Sequence, residues 1–261
     1  MAAAPPIVTL LSDFGAGSGY PAQVKGVLLG RLPEVRIVDL SHEVAPFDVL
    51  GGALLLEACV PRFPLHAVHL AVVDPGVGTE RRPLCVVDAA GRRLVGPDNG
   101  LFTPFLGGAR AFLLADRALA PPPESATFHG RDLFAPVAAW LAGGGDPARL
   151  GPAVPDPICL DWPEATSAGG VVRGAVLGAD GFGNLLTSVR ASQLPPGPLR
   201  VEVGGRPARL VRTYGEARPE ELVALVGSSG RLEIALRQGS AARALGLGRG
   251  APVRVAGEGA V

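Results

Sequence analysis

The sequence is poor in several features that mark large classes of protein. It holds three cysteines, Cys59, Cys85 and Cys159, in 261 residues. Because they are odd in number and far apart, they indicate reduced, small apolar side chains of a cytoplasmic protein, and they argue against a disulfide framework or a zinc knuckle. No apolar run reaches the roughly 18 residues that a membrane-spanning helix needs. No basic segment precedes the apolar start of the chain, so we expect neither a membrane anchor nor a signal peptide.

A surplus of positive charge is also missing. Lysine plus arginine total 24, aspartate plus glutamate total 24, and Lys25 is the single lysine. A nucleic-acid surface normally shows as a net basic charge or a basic run, so no nucleic-acid partner is expected. His66 and His69 lie three apart on an apolar run, where strand geometry points them to opposite faces. With no ligand cluster and no P-loop or Gly-x-Gly-x-x-Gly signature, we expect neither a metal ion nor a cofactor.

What is present is a chain apolar enough to bury a core, with 48% hydrophobic and 18% charged residues. In its first half, apolar runs alternate with helical patterns. Strands are expected at residues 7–11, 35–40, 66–73, 84–87, 93–95 and 111–115. Helical spacing covers residues 20–32, 48–59 and 133–142. This alternation predicts an α/β N-terminal domain, with a mostly parallel central sheet flanked by helices.

The second half has a different pattern of short strand candidates between Gly/Pro turns, with one helical segment at 240–247. The strands are expected at 171–177, 185–187, 199–203, 208–211, 222–226, 231–235 and 252–255. This pattern predicts a small β-barrel or sandwich. The Pro-rich stretch 151–163 marks the linker region. We therefore predict an α/β domain over 1–165 and a second, β-rich domain over 166–261.

Polar loops follow three of the apolar strands in the first half, and they place Asp13, Asp74 and Asp98 at strand ends. In parallel sheets, ligands bind at the carboxyl ends of the strands, and a carboxylate there is costly unless it is paired or used. Any one of the three is an ordinary helix cap or turn former, but three together favour a site. His129, between Phe128 and a Gly-Arg-Asp turn, is a further candidate.

In the second half, Asp180-Gly181-Phe182-Gly183-Asn184 interrupts two strands. It combines an acid, an aromatic face and an amide. These groups bind an amine, stack on a base and read the polar edge of that base. An ordinary Gly-rich hairpin is the alternative interpretation.

Taken together, these motifs resemble the S-adenosylmethionine hydroxide adenosyltransferases, also called S-adenosylmethionine hydrolases, which are relatives of fluorinase and chlorinase. The resemblance covers nearly the whole chain, in the family's order and spacing. The matching segments are Thr9-Leu10-Leu11-Ser12-Asp13-Phe14-Gly15, Val38-Asp39-Leu40-Ser41-His42, Val73-Asp74-Pro75-Gly76-Val77-Gly78, Gly96-Pro97-Asp98-Asn99-Gly100, Phe128-His129-Gly130-Arg131-Asp132, Phe182-Gly183-Asn184 and Gly227-Ser228-Ser229-Gly230-Arg231-Leu232-Glu233-Ile234-Ala235.

The resemblance implies an enzyme that hydrolyses S-adenosylmethionine to adenosine and methionine through SN2 attack of an activated water on C5′. Which sulfonium epimer is the substrate stays open, and clearance of the inactive (R) epimer is one alternative. The resemblance also implies a C-terminal β-barrel and a homotrimer with its active sites at subunit interfaces.

For the site, the resemblance assigns a catalytic set and a group of substrate contacts. The catalytic set is Asp74, Arg81 and His129. The expected substrate contacts are Asp13 and Phe47 at the ribose, Tyr20 at its border, Phe182, Asn184 and Tyr214 at the adenine, and Asp180, Ser228 and Ser229 at the methionine end.

These residue types suit the implied reaction. A sulfonium leaves as a neutral thioether and needs no acid, whereas bulk water, with a pKa of about 15.7, is a weak nucleophile. Arg81 would favour the hydroxide form, Asp74 would accept the proton, and His129 would position the water or relay the proton. Two alternatives remain. One is a halogenase on the same scaffold, although halogenating relatives carry Tyr where Asp74 stands. The other is a non-catalytic S-adenosylmethionine- or adenosine-binding protein.

Overall fold

The computed structural model describes residues 4–257. This part of the chain forms two compact units, one ending at Asp161 and the other beginning at Trp162. The predicted division at 165/166, with its assignment of catalytic and substrate contacts to the two parts, stays a prediction. Residues 1–3, which begin the segment in which no signal peptide is expected, and residues 258–261 lie outside the described range.

The first unit is built around a six-stranded sheet. Its strands are β1 (Ile7–Ser12), β2 (Arg36–Ser41), β3 (Val68–Val72), β4 (Pro83–Val87), β5 (Arg93–Pro97) and β6 (Arg110–Leu113). Its α-helices are α1 (Tyr20–Arg31), α2 (Val49–Cys59) and α3 (Ala135–Ala142), the last preceded by a π-helical turn, Gly130–Phe134. The strand order is β2-β1-β3-β5-β4-β6.

This sheet is mixed, which corrects the prediction of a mostly parallel sheet. β2, β1, β3 and β5 pair in parallel, but β4 runs antiparallel to both of its neighbours, β5 and β6. The reason lies in the connection between β4 and β5. Asp88 and Arg92 close a tight turn through a backbone hydrogen bond of 3.0 Å, and such a turn can join only antiparallel strands.

Both faces of the central strand β1 are buried, which explains its almost continuous apolar sequence. Val8 and Leu10 share a core with Val24 and Leu28 of α1. The residue after Leu10, Leu11, is only 1% exposed and lies on the other face, which α2 covers. The helices therefore cover both sides of the sheet, and the strand ends are left as the places where polar loops reach the surface.

The second unit is a closed β-barrel. Its strands are β7 (Thr166–Ala168), β8 (Val171–Ala179), β9 (Leu185–Arg190), β10 (Leu199–Val203), β11 (Arg206–Leu210), β12 (Leu222–Val226), β13 (Arg231–Leu236) and β14 (Pro252–Gly257). A short helix, α4 (Ala241–Leu245), lies within the predicted helical segment.

Closure of the barrel comes from the length of β8. Its first half pairs with β14 and its second half with β9, so seven strands form a ring in the order β14-β10-β11-β12-β13-β9-β8. β7 is added outside the ring, against β8. Of the two predicted architectures, barrel and sandwich, the structure is the barrel. In the part of the chain that is described, no helix combines the length and the apolar character needed to cross a bilayer.

Candidate active site

Asp74, Arg81 and His129, the three predicted catalytic residues, meet at one point of the first unit. Asp74 follows β3, and Arg81 stands seven residues later, just before β4. Because β4 runs antiparallel, it begins at the edge where β3 ends, so one loop holds both residues. His129 lies 48 residues after Arg81 in the sequence, immediately before the turn Gly130–Phe134.

Arg81 holds the other two side chains. Its Nε donates to both carboxylate oxygens of Asp74, at 2.9 and 3.0 Å, and its Nη2 donates to Oδ2 of Asp74 at 2.5 Å. The same Nη2 lies 2.8 Å from Nδ1 of His129. Both side chains of the Arg81–Asp74 pair are nearly buried, with 8% and 5% of their surface exposed. Such a bidentate pair fixes orientation as well as charge.

The contact with Arg81 determines the protonation state of His129. A guanidinium nitrogen is only a donor, so Nδ1 of His129 accepts and the proton of the neutral ring sits on Nε2. Burial, together with the positive charge of Arg81, lowers the pKa of His129 below its ordinary value of 6.5. The cluster therefore offers the Nε2–H of His129 as a donor and the carboxylate oxygens of Asp74 as acceptors.

Neighbouring residues hold the loop of residues 73–82 in place. Asn99 donates its side-chain N–H to the carbonyl of Val73 at 2.8 Å. Asp98 accepts from Arg82 at 2.7 Å and from the amide of Ile158 at 2.8 Å. Asp98 is 3% exposed, and this strand-end carboxylate supports the loop by pairing with Arg82.

The loop of residues 73–82 also packs against residues on either side of His129. The Arg81 guanidinium lies 5.2 Å from the ring centre of Phe134. Gly78 has a φ of 78°, and a Cβ there would stand 2.8 Å from the carbonyl oxygen of Ala126. Only glycine allows both this backbone conformation and this close approach.

Three predicted substrate contacts present open surface in the first unit. Oδ2 of Asp13 accepts from the amide of Phe47 at 2.9 Å. Phe47 has a φ of 67°, the left-handed region that large side chains avoid, and 72% of it is exposed. Tyr20, 52% exposed, packs edge-on against Phe128 with ring centres 5.2 Å apart. Phe128 directly precedes His129, so Tyr20 packs on the residue next to the cluster.

His42 supports the Asp13 loop and was not singled out as a site residue from the sequence. Its Nδ1 lies 2.7 Å from Oγ of Ser12, next to Asp13. Its Nε2 lies 3.1 Å from the carboxylate of Asp39, which also accepts from Lys25 at 2.6 Å. The side chain is 8% exposed. The motif that ends in His42 is one of the segments that carry the family resemblance, but it predicts no role for this residue, because spacing alone does not show which loop the residue meets.

The predicted substrate contacts of the second unit gather around one cavity of about 1000 Å³. Asp180, Phe182, Asn184, Tyr214 and Ser228 all line it. Phe182 is 82% exposed and Tyr214 is 44% exposed. Such exposed aromatic faces can stack against a flat ligand. Ser229 lies beside Ser228 in the exposed turn between β12 and β13 but does not line the cavity.

The carboxylate of Asp180 is engaged within its own turn. Oδ1 accepts from the amides of Phe182 and Asn184, both at 2.9 Å, and Oδ2 accepts from the side-chain amide of Asn184 at 2.9 Å. These bonds shape the turn that presents Phe182 and Asn184. The assignment of Asp180 to the methionine end stays a prediction, and it requires this carboxylate to make a further contact.

The fold and the site together define the class of protein. It has an α/β unit with a buried carboxylate–guanidinium–imidazole cluster, followed by a seven-stranded barrel whose cavity is lined by aromatic side chains. A sequence model of the SAM hydroxide adenosyltransferase N-terminal domain matches residues 8–151, and one of the C-terminal domain matches residues 174–254. The chain belongs to the SAM hydroxide adenosyltransferase family.

Individual relatives agree with this membership. The (R)-S-adenosyl-L-methionine hydrolase of Thermus thermophilus is 47% identical, with 95% of this chain and 98% of the relative covered. A fluorinase of Actinoplanes sp. (strain N902-109) is 29% identical over 72% of this chain and 73% of its own. The crystal structure of an uncharacterized conserved protein from Thermotoga maritima superposes with a TM-score of 0.89 at 32% identity, covering 95% of this chain and 99% of that one.

Proposed function

We propose that the protein hydrolyses (R)-S-adenosyl-L-methionine to adenosine and L-methionine. The Thermus thermophilus relative carries this name and aligns over nearly its full length. The observation that carries the proposal is the convergence of Asp74, Arg81 and His129 through hydrogen bonds of 3.0 Å or less.

In the proposed reaction, the Nε2–H of His129 donates to the oxygen of a water molecule, and an oxygen of Asp74 accepts a hydrogen of that water. Oδ1 of Asp74 is the better acceptor, because Oδ2 already receives two of the three bonds from Arg81. The water oxygen forms a bond to C5′ as the C5′–S bond breaks. The bonding electrons leave on sulfur, which becomes a neutral thioether, and the proton passes to Asp74.

The environment of the cluster suits this chemistry. Attack by a hydroxide-like oxygen on a sulfonium cancels charge, so its transition state needs less solvation than its reactants and a water-poor site favours it. The Arg81–Asp74 pair is almost completely buried. Fixed in-line geometry should also lower the activation barrier by several kcal/mol. Ideal positioning of two reacting groups supplies roughly 7–11 kcal/mol.

Substrate contacts complete the proposal. Asp13 grips the ribose hydroxyls, with Phe47 and Tyr20 beside them, and Phe182, Asn184 and Tyr214 hold the adenine. Ser228, Ser229 and Asp180 receive the methionine end. The resemblance supports a homotrimer in which the first unit of one subunit and the second unit of its neighbour share each site. The exposed aromatic side chains of Phe47 and Phe182 support this arrangement, because each is suited to being covered by a ligand or another subunit.

The experiment is incubation of the purified protein with each sulfonium epimer in ¹⁸O-labelled water, followed by chromatography and mass spectrometry. Attack at C5′ should place the label on the 5′-hydroxyl of adenosine and leave methionine unlabelled, with faster turnover of the (R) epimer. Label-free methylthioadenosine, or no adenosine release from either epimer, would overturn the proposal. Excess chloride tests the halogenase alternative, which would give chlorinated adenosine.

A further inference from the structure

His42 is a buried histidine that no step of the proposed reaction uses. It follows β2 and is 8% exposed. Its Nδ1 lies 2.7 Å from Oγ of Ser12, the last residue of β1, and its backbone carbonyl accepts from the amide of Gly15 at 2.7 Å. A single residue therefore contacts both ends of the segment 12–15, the Asp13 loop, which carries Asp13 between those ends.

The side chain of His42 is itself held from the other side. Its Nε2 lies 3.1 Å from Oδ1 of Asp39 on β2, in a close electrostatic contact without the alignment of a hydrogen bond. Oδ2 of Asp39 accepts from Lys25 of α1 at 2.6 Å. A bare nitrogen lone pair would repel the carboxylate, so Nε2 carries the ring proton. Nδ1 then accepts and the Ser12 hydroxyl donates.

A further hydrogen bond joins the Asp13 loop to the segment that follows His42. Oδ2 of Asp13 accepts from the amide of Phe47 at 2.9 Å. Within the described residues Oδ1 of Asp13 has no hydrogen-bond partner, so this oxygen stays available to a ligand. His42 and Phe47 both lie between β2 and α2. The segment between these two elements therefore holds the Asp13 loop at three points, and two of the three belong to His42.

We propose that His42 is a positioning residue for ribose recognition, which fixes the direction of the Asp13 carboxylate by holding Ser12 and Gly15. This inference rests on the proposed function, in which Asp13 grips the ribose hydroxyls. A carboxylate bonds two neighbouring hydroxyls well only when its oxygens keep a set direction, because hydrogen bonds weaken steeply as they bend. His42 touches no part of the substrate and acts only through the Asp13 loop.

The alternative role of His42 is support of the fold alone, and the chain contains a matched pair for comparison. On the same strand β1, Oγ1 of Thr9 lies 2.8 Å from Nδ1 of His69 on β3, and both residues are fully buried. Loss of either hydroxyl–histidine contact should lower stability. Only loss of the contact between Ser12 and His42 should also change how the protein distinguishes ribose from a sugar without hydroxyls.

The test is isothermal titration calorimetry of adenosine and 2′,3′-dideoxyadenosine, which lacks both hydroxyls that Asp13 would bind. The wild type should prefer adenosine by about tenfold or more, because hydrogen bonds to a charged group are among the stronger ones. His42→Leu and Ser12→Ala should each reduce this preference to within about threefold. His42→Asn should keep most of it, because the amide oxygen can accept from Ser12 in place of Nδ1. Thr9→Val, the matched control, should keep all of it.

The inference is wrong if the wild type shows no preference, if His42→Leu or Ser12→Ala keeps it, or if His42→Asn or Thr9→Val loses it. Thermal melts establish that each variant is folded. If His42→Leu does not fold, Ser12→Ala carries the test, because it removes a single hydroxyl.

The hydrolysis assay separates this inference from the proposed function. A preference for adenosine that depends on His42, in a protein that releases no adenosine from either epimer, would contradict the function alone. Normal hydrolysis with an unchanged preference in His42→Leu would contradict the role of His42 alone.

Discussion

At the scale of single residues, Arg81 sets the geometry and the protonation of the candidate active site. One guanidinium orients the Asp74 carboxylate and occupies the Nδ1 acceptor of His129. Asp74 is left to accept and His129 to donate, which are the two roles that a bound water needs from its neighbours. Replacing either partner should therefore alter the chemistry more than the binding of substrate.

Asp74→Asn should lower kcat by roughly 10²–10⁴-fold, the usual contribution of a general base, while KM changes by only a few-fold. Steady-state kinetics on the (R) epimer measures both. Asp88→Asn is the matched control, because Asp88 is also a buried carboxylate paired with an arginine, at 2.9 Å from Arg92, but it lies in the turn between β4 and β5. Equal effects of the two substitutions on kcat would contradict the role of Asp74.

The pH dependence should report the state of His129. Protonation puts a hydrogen on Nδ1, which breaks the contact with Arg81 and places two cations side by side. Activity is therefore expected in the neutral form and is lost as the pH falls through the pKa of His129. Because burial and Arg81 lower that pKa below 6.5, the midpoint of the decline in kcat/KM should lie below pH 6.5.

A pH series of kcat/KM on the wild type and on His129→Asn checks this expectation. The decline that belongs to His129 should be missing from the variant. A wild-type midpoint at or above 6.5 would be inconsistent with the lowered pKa.

At the scale of secondary structure, the antiparallel direction of β4 accounts for the short spacing between Asp74 and Arg81. In a wholly parallel sheet, the strand after β3 would start at the opposite edge, after a long crossover. Here β4 starts beside the end of β5, as the pairing of Pro83 with Pro97 shows. The loop of residues 73–82 stays at the site edge and carries both residues.

Gly78→Ala should destabilise the protein through this loop. The left-handed φ of Gly78 and the 2.8 Å approach to the carbonyl of Ala126 leave no strain-free place for a methyl group, and such strain costs of order 1–3 kcal/mol. Urea denaturation measures the change in the free energy of unfolding. Gly17→Ala is the control, because a Cβ at Gly17 meets no atom within 4 Å. Equal stability of the two variants would show that the loop accommodates the methyl group without strain, contrary to this prediction.

Periodicity along the sequence identified most of the elements but not how they pair. Both β4 and β5 are apolar runs, and nothing in either run shows its direction. β7 was missed because Thr166, Ser167 and Ala168 are all exposed and have no apolar alternation. The candidate cluster could be named only through motifs, since residues 48 positions apart, such as Arg81 and His129, carry no local signal of contact.

At the scale of the whole molecule, the proposed sharing of sites between subunits can be tested by mixing variants. Asp74→Asn should inactivate the first unit of a subunit, and Phe182→Ala should weaken the contribution of its second unit. Each mixed trimer would then contain one site with both halves intact. Refolding the two variants together in equal amounts should restore about a quarter of the wild-type activity, by counting the sites of a cyclic trimer.

Each variant refolded alone is the control for this mixing experiment and should remain nearly inactive. Light scattering should give the mass of three chains for the wild type. If mixing restores nothing while the trimer forms, each site lies within a single subunit and the shared-site proposal is wrong.

Asp74 and Arg81 both lie in the loop of residues 73–82 between β3 and β4, so a single short segment carries two of the three proposed catalytic residues. Its two ends are held by Asn99 and Asp98, which follow β5. A segment grafted from a family member that uses another nucleophile should therefore change which nucleophile the scaffold accepts, as long as the graft keeps the glycine at position 78 that packs against Ala126.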